Sequence, residues 1–112
     1  MQIKAIKTRV FKENENLLDF IFQYVRKIPE KSVLVITSKI VALAENRTVI
    51  FKNKREKIAL IKKESDFALK TKYTWLTIKD GMVMASAGID DSNANGKLIL
   101  LPKDSFKTAA RA

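Results

Sequence analysis

YTWLTIKDGMVMAS, residues 73–86, is the stretch that decides the fold. Two apolar runs, 73–78 and 82–86, are joined by Lys79-Asp80-Gly81. An Asp-Gly pair between apolar runs is typical of a tight β-hairpin turn. The pattern therefore predicts two antiparallel strands, and this hairpin anchors the interpretation of the rest of the chain.

Helical and extended patterns alternate on both sides of the hairpin. Apolar residues at helical spacing predict helices over residues 15–27, 40–45, 55–69 and from 105 onward. We expect Asn14 to cap the first of these helices and Asp104 to cap the last. Runs rich in β-branched residues predict strands over residues 2–10, 32–36, 48–51 and 97–101. We expect residues 32–36 to form a buried central strand. The order predicts one domain over residues 1–112 of α/β class, with α+β as the alternative, in which helices pack on a mixed, partly antiparallel sheet.

Composition restricts the chemistry. The chain has no cysteine and no histidine, so any metal site must be built from oxygen ligands. No apolar run approaches the ~18 residues that a membrane-spanning helix needs, so we expect a cytoplasmic protein without a membrane partner.

The net charge of +10 raises the question of nucleic acid. Lysines are spread along the chain and outnumber arginines, which favours solvated faces over a phosphate-binding surface. Base stacking on Tyr73, Trp75 and Phe106 is the lowest-ranked hypothesis, because core packing explains aromatic residues in an apolar strand more simply.

Polar residues follow two of the apolar runs. Thr37-Ser38-Lys39 follows one, and Ala87-Gly88-Ile89-Asp90-Asp91-Ser92-Asn93 follows the hairpin. The oxygen and amide groups of the second segment suit a hard cation together with a phosphate or sugar, although that segment taken alone favours a surface turn. The two segments could face each other at one end of the predicted sheet. Strand ends are where ligands usually bind in open sheets.

Three segments together resemble the coenzyme F-420 gamma-glutamyl ligase family. LVITSKIVALAENR at 34–47 is similar to the family's strand-to-helix segment, and MASAGIDDSN at 84–93 is similar to its Ala-Asn-Ala-Gly-Val-Asp-x-Ser-Asn signature. LLPKD at 100–104, followed by Ala-Ala-Arg at 109–111, matches the Leu-Leu-Pro-x-Asp run that comes next. Three motifs in the same order with similar spacing make the resemblance specific.

The resemblance implies a GTP-dependent ligase that joins L-glutamate by an amide bond to a carboxylate of the deazaflavin coenzyme precursor, through an acyl phosphate. It implies Mg²⁺ or Mn²⁺ as the cation and a homodimer as the assembly. Matched position by position, Asp90 would bind the metal, and Ser38, Lys39 and Asn93 would contact GTP. Asp91 falls at the variable position of the signature and would be peripheral.

The chain also departs from the family pattern. Leu43 stands where the family has a lysine expected to bind nucleotide phosphate, and the family's domain runs on for about as many residues again. The resemblance therefore covers the N-terminal half of that domain, and the sequence leaves open whether this chain is itself an enzyme. We carry two hypotheses: a truncated or divergent glutamate ligase, and a non-catalytic ligand-binding or assembly domain that kept the fold.

Overall fold

The predicted hairpin is present in the computed structural model, which describes residues 2–91 and 96–111. Its strands are β3 (Trp75–Lys79) and β4 (Met82–Ala85), with Lys79 opposite Met82. Asp80 and Gly81 form the turn with φ values of 52° and 76°. Positive φ at both turn residues is what a two-residue hairpin with right-handed strand twist requires, so the local turn chemistry was predicted correctly.

The described strands form two antiparallel sheets. β2 (Phe67–Lys70) joins β3 and β4 in a three-stranded meander, and β1 (Thr48–Ile50) pairs with β5 (Lys97–Ile99). Four helices accompany them: α1 (Leu17–Tyr24), α2 (Ser38–Ala44), α3 (Lys54–Glu64) and α4 (Ser105–Arg111). The fold is therefore α+β, and the sheet expected as one mixed unit is divided into two antiparallel ones.

Helix α3 ends earlier than its apolar spacing predicts. The hydroxyl of Ser65 donates to the carbonyl of Ile61 at 2.8 Å, which satisfies one of the carbonyl groups left open at a helix end. Asp66 N–H then donates to Ile78 O at 2.8 Å and starts the pairing with β3. The prediction that residues 67–69 are helical is wrong, because pairing with the hairpin overrides a spacing that fits both structures.

Two predicted strands do not form. Residues 2–10 and 32–36 have no strand pairing in the described chain, and apolar side chains such as Val33 and Val35 are 87% and 85% exposed. A β-branched run fits a strand locally, but only a neighbouring strand and a covering layer make it one. The predicted buried central strand at 32–36 is therefore wrong for the described chain.

The homodimer that the family resemblance implies stays a prediction.

The helix caps were predicted in part. Asp104 Oδ1 accepts from Lys107 N–H at 3.0 Å at the start of α4, as expected. The cap of α1 is Asn16, whose Oδ1 accepts from Asp19 N–H at 3.0 Å, and the predicted Asn14 is wrong. Asn14 has a φ of 66°, whereas a capping residue takes an extended backbone.

In the part of the chain that the structure describes, no helix has both the length and the apolar character to cross a bilayer.

The core lies where α2, α3 and β5 meet the end of the hairpin. Ile61 of α3 and Leu98 of β5 are almost completely buried, as are Ala42 and Ala87. A second cluster, in which the Phe11 and Phe20 rings meet edge to face with centroids 4.9 Å apart, packs α1 at one side. The first cluster fixes the segments that carry the candidate site.

Candidate functional site

The two polar segments singled out in the sequence face each other across a cleft of about 130 Å³. One wall is the start of α2, the other is the segment after the hairpin, and the floor is the end of β5 and the residues that follow it. The lining residues are Thr37, Ser38, Lys39, Gly88, Asp90, Ile99, Leu100 and Leu101. The structure thus brings together Ser38, Lys39 and Asp90, while Asn93 lies outside the described residues.

The first wall is held by a capped helix start. Thr37 has an extended backbone, and its hydroxyl oxygen accepts from Lys39 N–H at 3.4 Å, a long hydrogen bond. Buried Val41 and Ala42 fix α2 against the core. The short helix therefore presents the exposed Ser38 side chain and the half-buried Lys39 side chain to the cleft.

The second wall begins with a left-handed turn. Ser86, Ala87 and Gly88 have φ values of 50°, 52° and 72°. For residues with a side chain, this backbone costs ~1–2 kcal/mol each, so surrounding contacts must impose it. Those contacts come from Thr77, which is completely buried in β3 and accepts from Ala87 N–H at 2.8 Å.

Thr77 is a positioning residue that the sequence-based prediction missed. Its hydroxyl also donates to the carbonyl of Met84 at 2.6 Å, so one side chain ties β3, β4 and the turn together. The signal was available, since Thr77 has the same strand parity as Trp75 and Lys79 and therefore lies on the same face of β3. A threonine at an inward-facing position needs hydrogen-bond partners, and here the turn supplies one.

Asp90 is fixed through both its backbone and its side chain. Its N–H and C=O pair with Ile99 at 2.9 and 2.8 Å, so the residue lies beside β5 on the edge opposite β1. Its Oδ2 lies 2.5 Å from Lys39 Nζ, and the two side chains are 30% and 36% exposed. The ion pair joins the two walls of the cleft and places one cation and one carboxylate in its lining.

The donor set sets limits on a metal ion. Within residues 2–91 and 96–111 there is no group of three or more aspartate, glutamate, histidine or cysteine side chains that could hold one. The cleft offers the Asp90 carboxylate and the Thr37 and Ser38 hydroxyls, all oxygen donors. Mg²⁺ often binds through one or two carboxylates together with substrate phosphates and water. These residues fit a cation bridged by phosphates and do not fit a cage made of protein ligands alone.

Asp91 points to a different surface. Its Oδ2 lies 2.5 Å from Lys57 Nζ of α3, and its side chain is 48% exposed. The hydrogen bond from Lys57, followed by the charge of that ammonium, lowers the pKa of the Asp91 carboxyl below its ordinary 3.8. Asp91 is therefore peripheral to the cleft. This agrees with its match to the variable position of the family signature.

We expect substitution Lys57→Met to raise the pKa of Asp91 toward 3.8, because the two largest lowering effects, the hydrogen bond and the charge of Lys57, come from that ammonium. Since the pKa is lowered on folding, this pair stabilises the fold above pH 3.8, and that contribution is lost as the pH falls through the folded-state pKa. A carboxyl-carbon NMR titration measures the pKa, with Lys52→Met as the control. Equal Asp91 pKa values in wild type and Lys57→Met would refute the assignment.

These features define a class of protein: an α+β domain in which a strained turn and a helix start form a small, charged cleft. A family model described as F420-0:gamma-glutamyl ligase matches residues 5–112. The chain therefore belongs to the F420-0:gamma-glutamyl ligase family, and the resemblance inferred from the three motifs is confirmed. The match contains both walls of the cleft and its floor.

Proposed function

We propose that the cleft is the phosphate-binding part of a GTP-dependent ligase that adds L-glutamate to a carboxylate of the deazaflavin coenzyme precursor. The observation that carries the proposal is the ion pair between Lys39 and Asp90, 2.5 Å apart across the cleft. The two residues come from separate motifs and lie 51 positions apart in the chain. Family membership supports the reaction class.

The proposed reaction has two steps. A carboxylate oxygen of the acceptor attacks the γ-phosphorus of GTP, the P–O bond to GDP breaks, and an acyl phosphate forms. The amine nitrogen of L-glutamate then attacks the acyl carbon, forming the C–N bond as the C–O bond to phosphate breaks. Inorganic phosphate leaves with the bonding electrons, and the amine proton goes to solvent.

The residues of the cleft take distinct parts in this proposal. Lys39 Nζ binds phosphate oxygens and neutralises charge on the transferred group, as positioned cations do in phosphoryl transfer. Asp90 holds that ammonium in the cleft and would be the protein ligand of a Mg²⁺ or Mn²⁺ ion, which would supply further charge neutralisation. The Ser38 hydroxyl can donate to a phosphate oxygen, and Asn93 remains a proposed GTP contact.

Calorimetric titration of GTP with Mn²⁺ into the chain tests the proposal. Hydrogen bonds to charged groups contribute ~1.5–3 kcal/mol, so we expect Asp90→Asn and Lys39→Met each to lower the affinity by at least about tenfold. Asp91→Asn is the matched control, because it breaks an ion pair of the same 2.5 Å length on the other side of the same segment. Absence of GTP binding, or an equal loss in all three variants, would contradict the proposal.

A non-catalytic role is the second candidate, and Leu43 is the observation that favours it. Leu43 lies one helical turn after Lys39, where the family has a lysine, and it is half-buried and outside the cleft lining. A relative that kept the fold for ligand binding or assembly would be folded and indifferent to GTP. In the same titration, Leu43→Lys raises GTP affinity if the cleft is a phosphate site and leaves it unchanged in a non-catalytic relative.

A further inference from the structure

Arg47 lies behind the cleft and does not touch its interior. It closes the strand-to-helix motif at residues 34–47, and it is not among the residues that line the cleft. Its side chain is 24% exposed. A guanidinium stays protonated in proteins, so an arginine that is mostly buried needs partners for its charge and its N–H groups. The positions of these partners show which parts of the fold Arg47 joins.

The backbone of Arg47 joins the first wall of the cleft to its floor. Arg47 N–H donates to Ala42 O at 2.8 Å. Asn46 N–H donates to Leu43 O at 3.2 Å, and Asn46 has a φ of 57°. These two bonds form the Schellman motif, which ends a helix, in this case α2. Arg47 O then accepts from Leu100 N–H of the floor at 2.8 Å, so one residue ties α2 to the floor.

The side chain of Arg47 contacts the floor and α3 at the same time. Its Nε donates to Leu101 O at 3.0 Å, and its Nη2 pairs with the Glu64 carboxylate of α3. Lys79 Nζ of β3 donates to Glu64 O at 3.0 Å and so holds the end of α3 from the other side. Because a guanidinium is planar and rigid, a partner fixed at one nitrogen sets the direction of the others. Glu64 therefore directs Arg47 Nε toward the Leu101 carbonyl.

The floor that Arg47 holds also carries Asp90. Ile99, which directly precedes Leu100, exchanges both of its backbone hydrogen bonds with Asp90, at 2.9 and 2.8 Å. Lys39 belongs to α2, the helix that Arg47 closes. Movement of the floor relative to α2 would therefore change the 2.5 Å separation between Lys39 Nζ and Asp90 Oδ2.

We propose that Arg47 is a positioning residue of the cleft, whose guanidinium sets the separation between Lys39 and Asp90. Its effect on GTP rests on the proposed function of the cleft, whereas its effect on the ion pair does not. Substitution Arg47→Lys separates position from charge. It keeps the cation beside Glu64, but a single nitrogen atom cannot occupy the positions of both Nε and Nη2. The floor then loses its side-chain tie while the positive charge remains.

The ion pair can be tested in the full chain without nucleotide, by NMR of the Asp90 carboxyl carbon. Substitution Lys39→Met should shift this signal, because it removes the paired ammonium. In the Arg47→Lys background we expect the same substitution to shift the signal less than about half as far, since residues in one network respond non-additively. Equal shifts in the two backgrounds would overturn the proposal.

Calorimetric titration of GTP with Mn²⁺ tests the consequence for binding. We expect Arg47→Lys to lower the affinity about tenfold, because small displacements of positioned groups are costly. Arg9→Lys is the matched control, since Arg9 also pairs with a glutamate, Glu15, but lies outside the cleft lining, and it should leave the affinity unchanged.

Urea unfolding of the same samples separates position from stability. Unchanged affinity in Arg47→Lys, or a fall no larger than its unfolded fraction explains, would overturn the role of Arg47. If the wild-type chain binds no GTP, the ligase proposal fails, and the Asp90 carboxyl measurement alone decides the role of Arg47.

Discussion

Substitution Gly88→Ala is expected to destabilise the fold by about 2–5 kcal/mol and to disturb the cleft. A Cβ at Gly88 would lie 2.6 Å from both Cγ and Cδ1 of Leu101, so Leu101 or the turn must move. Forcing an extra methyl into a packed site costs ~1–3 kcal/mol, and a side chain at positive φ adds ~1–2 kcal/mol. Because Leu101 is part of the cleft floor, the same shift disturbs the site. Urea unfolding measures the loss of stability.

Gly81→Ala is the matched control for this prediction. Gly81 has nearly the same φ as Gly88, 76° against 72°, but a Cβ there would meet no atom within 4 Å. Substitution Gly81→Ala should therefore cost only the ~1–2 kcal/mol of placing a side chain at positive φ. In the double variant Gly88→Ala/Leu101→Ala, the stability lost through the clash should be partly restored, since the clashing Leu101 side-chain atoms are removed. Equal losses in Gly88→Ala and Gly81→Ala would show that the contact with Leu101 does not matter.

Substitution Glu64→Gln has the second large expected effect, about 3 kcal/mol of lost stability. The Glu64 carboxylate pairs with Arg47 and lies 3.7 Å from Lys79 Nζ, and the three side chains are only 11–24% exposed. Removing the one carboxylate leaves two poorly solvated cations beside each other, which costs ~3–5 kcal/mol when a pair is fully buried. Arg47 Nε also donates to Leu101 O at 3.0 Å, so the loss reaches the cleft floor.

The control for Glu64→Gln is an exposed ion pair of the same chemistry. Glu15 pairs with Arg9 at 2.7 Å, with side chains 27% and 42% exposed. Water screens the charges of an exposed pair, so Glu15→Gln should change the free energy of unfolding little. Urea unfolding of both variants at neutral pH makes the comparison. If Glu64→Gln costs no more than Glu15→Gln, the half-buried network does not stabilise the fold.

Elements with local causes could be predicted from the sequence. The Asp80-Gly81 turn needs positive φ at two adjacent residues, and that requirement is written in the residue types themselves. The cap at Asp104 likewise depends on one side chain and the next three residues. Both were predicted because no distant contact is needed to decide them.

Elements decided by distant contacts could not be predicted. Residues 67–69 fit a helix by spacing, and the hydrogen bond from Asp66 to Ile78 makes them part of a sheet. Residues 32–36 fit a strand by composition, yet the described chain offers them no partner. In both cases the presence or absence of a pairing partner elsewhere in the chain overrides local propensity.

The candidate site shows the same division. Motif order indicated that Ser38, Lys39 and Asp90 belong together, and the structure places them around one cleft. The order of the motifs could not show that Lys39 and Asp90 form an ion pair. Contact between side chains 51 residues apart depends on the pairing of Asp90 with Ile99. Nor could it show that Thr77 imposes the turn, because that role requires the hairpin and the turn to be seen in contact.

Paramagnetic broadening of backbone amide signals by Mn²⁺ with GTP tests the central claim most directly, with Mg²⁺ and GTP as the diamagnetic reference. The account predicts that broadening centres on the amides of Lys39, Gly88 and Asp90, and that Asp90→Asn removes it. The amides of Lys57 and Tyr73, which are not among the residues that line the cleft, should broaden less. Amides of the cleft that stay sharp while others broaden, or no selective broadening at all, would contradict the claim that this cleft binds the nucleotide phosphates.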